Sequence, residues 1–138
     1  MKPGNRPDGP TGPGSGEPAC KGRVLVVDDD PDSAETLAEL VRLWKYEVRI
    51  CFDGRAALVE ARQFQPDVVL LDIGLPGQDG YETARRIRDE GLVSGLLIAL
   101  TGYGQDEDRR RAREAGFDRH LTKPVSPDLL QQVLAGRQ

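Results

Sequence analysis

Residues 23–30 read RVLVVDDD, an apolar, β-branched run that stops abruptly at three carboxylates. A continuous apolar run of this length describes a strand buried on both faces, as in a parallel sheet. Pro31 suits the first turn of a helix and Asp30 suits its cap. Ala34, Leu37, Ala38, Val41 and Trp44 then recur at helical spacing. One strand, one sharp polar boundary and one helix make a first βα unit.

The same unit repeats outward from that stretch. Glu47–Phe52 alternates as a second strand, and Ala57, Leu58, Ala61 and Phe64 mark one face of a helix over Gly54–Phe64. Asp67–Leu71 (DVVLL) is a third buried strand ending at Asp72, followed by a loop of turn formers from Gly74 to Gly80 and a helix marked by Tyr81, Ala84 and Ile87. Gly95–Leu100 (GLLIAL) is a fourth strand ending at Thr101, followed by a charged helix over about Asp106–Ala115 that Gly116 closes. Asp118–Thr122 is a short fifth strand, and Ser126-Pro127 caps and starts a last helix carrying Leu129, Leu130, Val133 and Leu134. Five βα units in strict alternation predict an α/β fold of three layers: a doubly wound, five-stranded parallel sheet with helices on both faces. Ligands of such sheets bind outside the carboxyl ends of the strands.

Those ends carry Asp28 and Asp29, Asp72, Thr101 and Lys123, which meet on one rim if the sheet forms. Three carboxylates in one pocket repel each other, by about 1 kcal/mol per pair at 4 Å in water and about 4 at an effective dielectric of 20. Lys123 offsets one charge. A hard divalent ion such as Mg²⁺, which takes oxygen ligands, offsets two. The first βα turn, DDDPD, has no glycine and the wrong charge for a directly bound phosphate, so a phosphate enters only with a metal in place. An aspartate beside Mg²⁺, with a hydroxyl and an ammonium nearby, is suited to accept a phosphoryl group as an acyl phosphate. Read singly, each of these residues has a plainer role. Asp30 is a helix cap, His120 a packed strand residue, and the run Arg109-Arg110-Arg111-Arg113 a solvated helix face with i,i+4 ion pairs.

Composition narrows the function classes. Of the 16 glycines and 10 prolines among 138 residues, five of each fall within residues 1–21, where almost nothing could enter a core. This segment reads as a disordered leader or linker, with residues 22–138 as the folding unit. No apolar run approaches the roughly 20 residues that cross a bilayer, and the first residues lack the apolar stretch of a signal peptide. Cys20 and Cys51 make no disulfide framework, and a net charge of −4 supplies no field for direct nucleic-acid binding. A cytoplasmic chain is expected. The single histidine supports no serine–histidine, cysteine–histidine or zinc site.

The set VLVVDDD at 24–30, LLDIGLPGQDGYE at 70–82, ALTGYG at 99–104 and LTKPV at 121–125 resembles the receiver domain of two-component response regulators, over about residues 22–136. The resemblance implies a flavodoxin-like sheet in the order 2-1-3-4-5 and a phosphorelay role without enzymatic turnover beyond self-phosphorylation and slow self-dephosphorylation. It implies that Asp72 is the phosphoacceptor. It further implies that Asp28, Asp29, Asp72 and the backbone carbonyl of Gly74 hold Mg²⁺, and that Thr101 and Lys123 contact the phosphoryl group. Thr101 and His120 form the switch pair, with His120 where the family often carries Tyr or Phe, and Lys123-Pro124 is the family's cis peptide. The donor is a phosphohistidine on a sensor histidine kinase or phosphotransfer protein. The output is a protein surface on the fourth helix, fifth strand and last helix, because no room remains for a DNA-binding domain. ALTGYG and LTKPV are also similar to receivers of hybrid kinases, which act as a phosphate sink or shuttle. Two other readings stand beside this one. Asp30-Pro31-Asp32-Ser33 echoes the D-x-D of Mg²⁺-dependent aspartyl phosphohydrolases of the haloacid dehalogenase type. A degenerate receiver would bind partners without phosphorylation.

Overall fold

In the computed structural model the described residues are 21–73, 80–102, 110–111 and 113–136. The glycine- and proline-rich leader and Gly74 lie outside them. Five strands, β1 (Arg23–Val27), β2 (Glu47–Cys51), β3 (Val68–Asp72), β4 (Leu96–Thr101) and β5 (Arg119–Thr122), form one sheet in the order β2-β1-β3-β4-β5. Every pairing is parallel. The helices are α1 (Pro31–Leu43), α2 (Gly54–Phe64), α3 (Gly80–Asp89) and α4 (Pro127–Ala135). Residues 110–111 and 113–114 are helical as well, within the charged stretch expected to form a helix.

The alternation of each strand divides the core into two layers. Leu25, Val27, Val69, Leu71, Leu97 and Ala99 pack with α2 and α3 residues such as Leu58, Phe64, Tyr81 and Ile87. Val24, Val26, Val68, Leu70, Ile98 and Leu100 pack with Leu37 and Val41 of α1 and Leu130 and Leu134 of α4. Both faces of β1 and β3 are therefore dry, which is why these strands read as unbroken apolar runs. Each such side chain contributes about 1.5–3 kcal/mol on burial. β2 is an edge strand, and only Cys51 on it is fully buried, so its sequence alternates.

Helix starts follow local chemistry. The Asp30 side chain accepts from Asp32 N, with Pro31 in the first turn. Asp53 accepts from Ala56 N at the start of α2, and Ser126 accepts from Leu129 N at the start of α4. Several boundaries differ by one residue from the sequence reading. Asp67 stands before β3, where its carboxylate accepts from Arg23 N at 2.8 Å and from Ser94 Oγ at 2.9 Å. Asp118 stands before β5, where it accepts from Leu97 N at 2.8 Å. Both acids satisfy neighbouring strand ends instead of joining the ladder. Phe52 lies beyond β2 and is half-exposed.

Candidate functional site

Strand register builds the site. Val27 lies opposite Leu71 in the β1–β3 ladder, so one further step sets Asp28 beside Asp72. Asp72 is the last residue of β3, opposite Leu100 of β4. Thr101 closes β4 opposite Thr122 of β5, and Lys123 N donates to Thr101 O at 2.7 Å. Lys123-Pro124 is a cis peptide, as the resemblance implied.

Lys123 bridges the carboxylates. Its Nζ donates to Asp28 Oδ2 and to Asp72 Oδ2, each at 2.9 Å. Asp28 is fully buried, and the Asp72 side chain is only 11% exposed. Carboxylate oxygens of Asp28, Asp29 and Asp72 lie within 4.8 Å of one another, the only such acidic group among the described residues. Asp29 is the exposed member.

Burial is the largest influence on the Asp28 carboxyl and pushes its pKa upward. Donation from Asp30 N, from the Lys123 ammonium and from the Ser33 hydroxyl outweighs burial and holds the group below its ordinary value. Burial likewise pulls the Lys123 ammonium downward, and its bonds to Asp72 and Asp28 carry it above its ordinary value. Each partner thus holds the other charged. Ser33 was missed in the sequence as a supporter of Asp28. Its signal is its place in the first turn of the helix that Asp28 precedes.

Thr101 is 4% exposed, and its Oγ1 finds no hydrogen-bond partner among the described residues. A buried hydroxyl without a partner costs about 1–3 kcal/mol, so this atom is available to an acceptor that enters the site. The donor set fits a hard divalent cation: carboxylate oxygens only, converging from two strands, with an excess of negative charge.

The structure therefore brings together Asp28, Asp29, Asp72, Thr101 and Lys123. Gly74 lies outside the described residues. His120 is half-buried on β5 and lines a separate cleft of about 450 Å³ with Phe117, Leu121, Leu129 and Val133. Asp30 is the cap of α1 and, like Asp32, is exposed and outside the acidic cluster. Arg110, Arg111 and Arg113 are exposed, and the Arg111 guanidinium also lies 4.2 Å from the centre of the Tyr81 ring, a contact the sequence reading did not include. Cys51 is buried, and burial, with Glu60 and Asp53 nearby, pushes its thiol up to about 11. No helix among the described residues is long and apolar enough to cross a membrane.

A family model for the response regulator receiver domain matches residues 24–135. The sensor histidine kinase RcsC of Salmonella typhimurium is 37% identical over 112 residues, covering 81% of this chain and 12% of that protein. The DNA-binding dual master transcriptional regulator RpaA of Synechocystis is 35% identical over 115 residues, covering 82% of this chain and 48% of that protein. The chain thus spans less than half the length of these curated relatives. Among solved structures, the chemotaxis response regulator CheY4 of Vibrio cholerae is similar with a TM-score of 0.77 at 26% identity, over 84% of this chain and 98% of that one. The receiver domain of the Francisella response regulator 1452 is similar with a TM-score of 0.76 at 27% identity, over 83% of this chain and 94% of that one.

Proposed function

The chain belongs to the response regulator receiver family, and from that premise we propose that it accepts a phosphoryl group on Asp72 from a phosphohistidine and thereby switches a protein-interaction surface. The family is one of signalling domains. The observation that carries the reading is the double bridge of Lys123 to Asp28 and Asp72, with a Thr101 hydroxyl at the end of the adjacent strand that finds no partner among the described residues.

In this reading an Asp72 carboxylate oxygen attacks the phosphorus of a phosphohistidine. The new P–O bond forms as the P–N bond breaks, and the electron pair leaves on the imidazole nitrogen. Transfer passes through a state with charge spread over the phosphoryl oxygens. Lys123, already at the acceptor oxygen, follows that charge. Thr101 Oγ1 donates to a phosphoryl oxygen and gains the partner it lacks. Asp28 keeps its bonds from Asp30 N and Ser33 when the ammonium turns toward the phosphoryl group. Asp28, Asp29 and Asp72, with the carbonyl of Gly74, would hold Mg²⁺, which would supply charge neutralisation at the transferring group. Donors are sensor histidine kinases or phosphotransfer proteins. Output runs through protein contacts on the face bearing His120, with His120 and Thr101 as the switch pair. Residues 22–138 form the receiver unit, preceded by a linker over residues 1–21.

The test is incubation with Mg²⁺ and acetyl phosphate, followed by intact-mass analysis. One phosphoryl addition is expected in the wild type and none in Asp72→Asn. An addition that persists in Asp72→Asn, or none in the wild type, overturns the reading.

A further inference from the structure

Two contacts tie α3 to the segment that follows β4. At the start of α3, the Arg111 guanidinium lies over the ring of Tyr81, 4.2 Å from its centre. At its end, Arg88 Nε donates to Gly116 O at 2.9 Å, and its other arm pairs with Asp118. The order is the same along both stretches, so the segment is fastened to α3 at two points. The first fastening lies near the acceptor. Tyr81 is 5% exposed and directly follows Gly80, where an added Cβ would stand 2.6 Å from Ile73 Cα. Ile73 follows Asp72, and its N–H donates to Leu100 O. Guanidinium, buried ring, closely packed glycine and acceptor-flanking backbone are thus contiguous.

We propose that Arg111 is a positioning residue for Asp72: its stacking on Tyr81 restrains the first turn of α3, and the backbone against it, in the unphosphorylated arrangement. This inference rests on the acceptor reading above. Phosphorylation adds bulk and charge beside Ile73, and a contact made beforehand opposes any rearrangement that loosens it. Arg111 touches neither acceptor nor donor. It acts through the ring.

The experiment compares wild type, Arg111→Gln, Arg111→Lys and Arg110→Gln, with acetyl phosphate and Mg²⁺ as the donor system. The initial rate of phosphoryl addition is read by intact mass, and amide exchange is read over residues 80–84. A cation–π contact at a partly exposed site is worth about a 2- to 5-fold change in an equilibrium. Arg111→Gln should therefore raise both the addition rate and the exchange rate by about that factor. Arg111→Lys, which keeps a cation for the ring, should recover most of the wild-type behaviour. Arg110→Gln removes the same charge one residue away and should match the wild type. In a Tyr81→Leu background, Arg111→Gln should add nothing. Arg111→Gln with either observable unchanged or lowered, or Arg110→Gln with the same acceleration, overturns the proposal. If the wild type takes no phosphoryl group, the acceptor reading falls and this inference falls with it. If the wild type is modified at Asp72 and Arg111→Gln leaves the rate unaltered, the positioning role alone fails.

Discussion

Lys123→Met removes the ammonium that bridges the two buried carboxylates and keeps most of the side chain's volume. Two charge-assisted hydrogen bonds disappear, to Asp28 and to Asp72. At about 1.5 kcal/mol each, the low end for bonds to charged groups, their loss costs about 3 kcal/mol. A ceiling follows from Asp28, which has no exposed surface and can shed its stranded charge by taking a proton. From the ordinary value of 3.8, protonation at pH 7 costs about 4.4 kcal/mol, at 1.36 kcal/mol per pH unit. The variant should therefore lose about 3–4 kcal/mol of unfolding free energy in metal-free buffer at pH 7. At pH 5 the protonation route costs only about 1.6 kcal/mol, which caps the Asp28 share of the loss, so the total should be smaller than at pH 7. The assay is urea unfolding at both pH values, with chelator and with saturating Mg²⁺. A divalent ion should recover part of the loss, because it binds the native cluster and not the unfolded chain. It should also stabilise the variant more than the wild type, where the ammonium competes for the same oxygens. A loss that is equal at pH 5 and pH 7, or one that Mg²⁺ leaves untouched, refutes the electrostatic account of the site.

Thr101→Val removes a buried hydroxyl that finds no partner among the described residues. It should leave stability unchanged or raise it by up to about 2 kcal/mol, while acyl-phosphate accumulation with acetyl phosphate falls; a clear loss of stability in urea would count against the unpartnered hydroxyl. Gly116→Ala places a Cβ 2.7 Å from Arg88 Cγ at a backbone φ of +105°, and should cost about 1–3 kcal/mol by the same unfolding measurement. The wild-type pH profile follows from the two shifted groups. The Asp28 carboxyl lies below its ordinary value of 3.8 when folded, so its contribution is present above that value and is lost as pH falls through the lower folded value. The Lys123 ammonium lies above its ordinary 10.5, so its contribution is present below that value and is lost as pH climbs through the higher folded value. Unfolding free energy should therefore decline at both extremes. Asp28→Asn should flatten the acid limb, and an unchanged acid limb in that variant would sink the assignment.

The strands that cross the middle of the sheet were legible because both their faces are buried, leaving no polar residue within Val24–Val27 or Val68–Leu71 to obscure the run. Asp28, Asp72 and Thr101 were legible for the related reason that each is the first polar group after such a run. Helix starts were legible where a short polar side chain precedes proline, as at Asp30-Pro31 and Ser126-Pro127. The acids at Asp67 and Asp118 were misassigned by one residue, because a side chain that accepts from a neighbouring strand's N–H leaves no periodic mark in its own. Arg111 was obscured by its setting. Three other arginines lie within two residues of it, and nothing local distinguishes the one that meets Tyr81, thirty positions earlier. Contacts between surface helices on neighbouring βα units depend on crossover geometry, which periodicity does not encode.

Three carboxylates converge on the site, and among the described residues the Lys123 ammonium bridges two of them. The ammonium is shared between Asp28 and Asp72 and belongs to neither. A closed structural network would have satisfied every member, since a partly satisfied buried network is less favourable than none. Here the acidic cluster and the Thr101 hydroxyl, which finds no partner among the described residues, are complementary to what a divalent ion and a phosphoryl oxygen supply together. The packed layers on both sides supply the stability that the site lacks, and this explains why polar frustration is confined to one rim of an otherwise dry sheet. In the proposed acceptor reading the rim has two arrangements, one closed by Lys123 and one closed by incoming ligands. The positioning role proposed for Arg111 on Tyr81 would act on the balance between them.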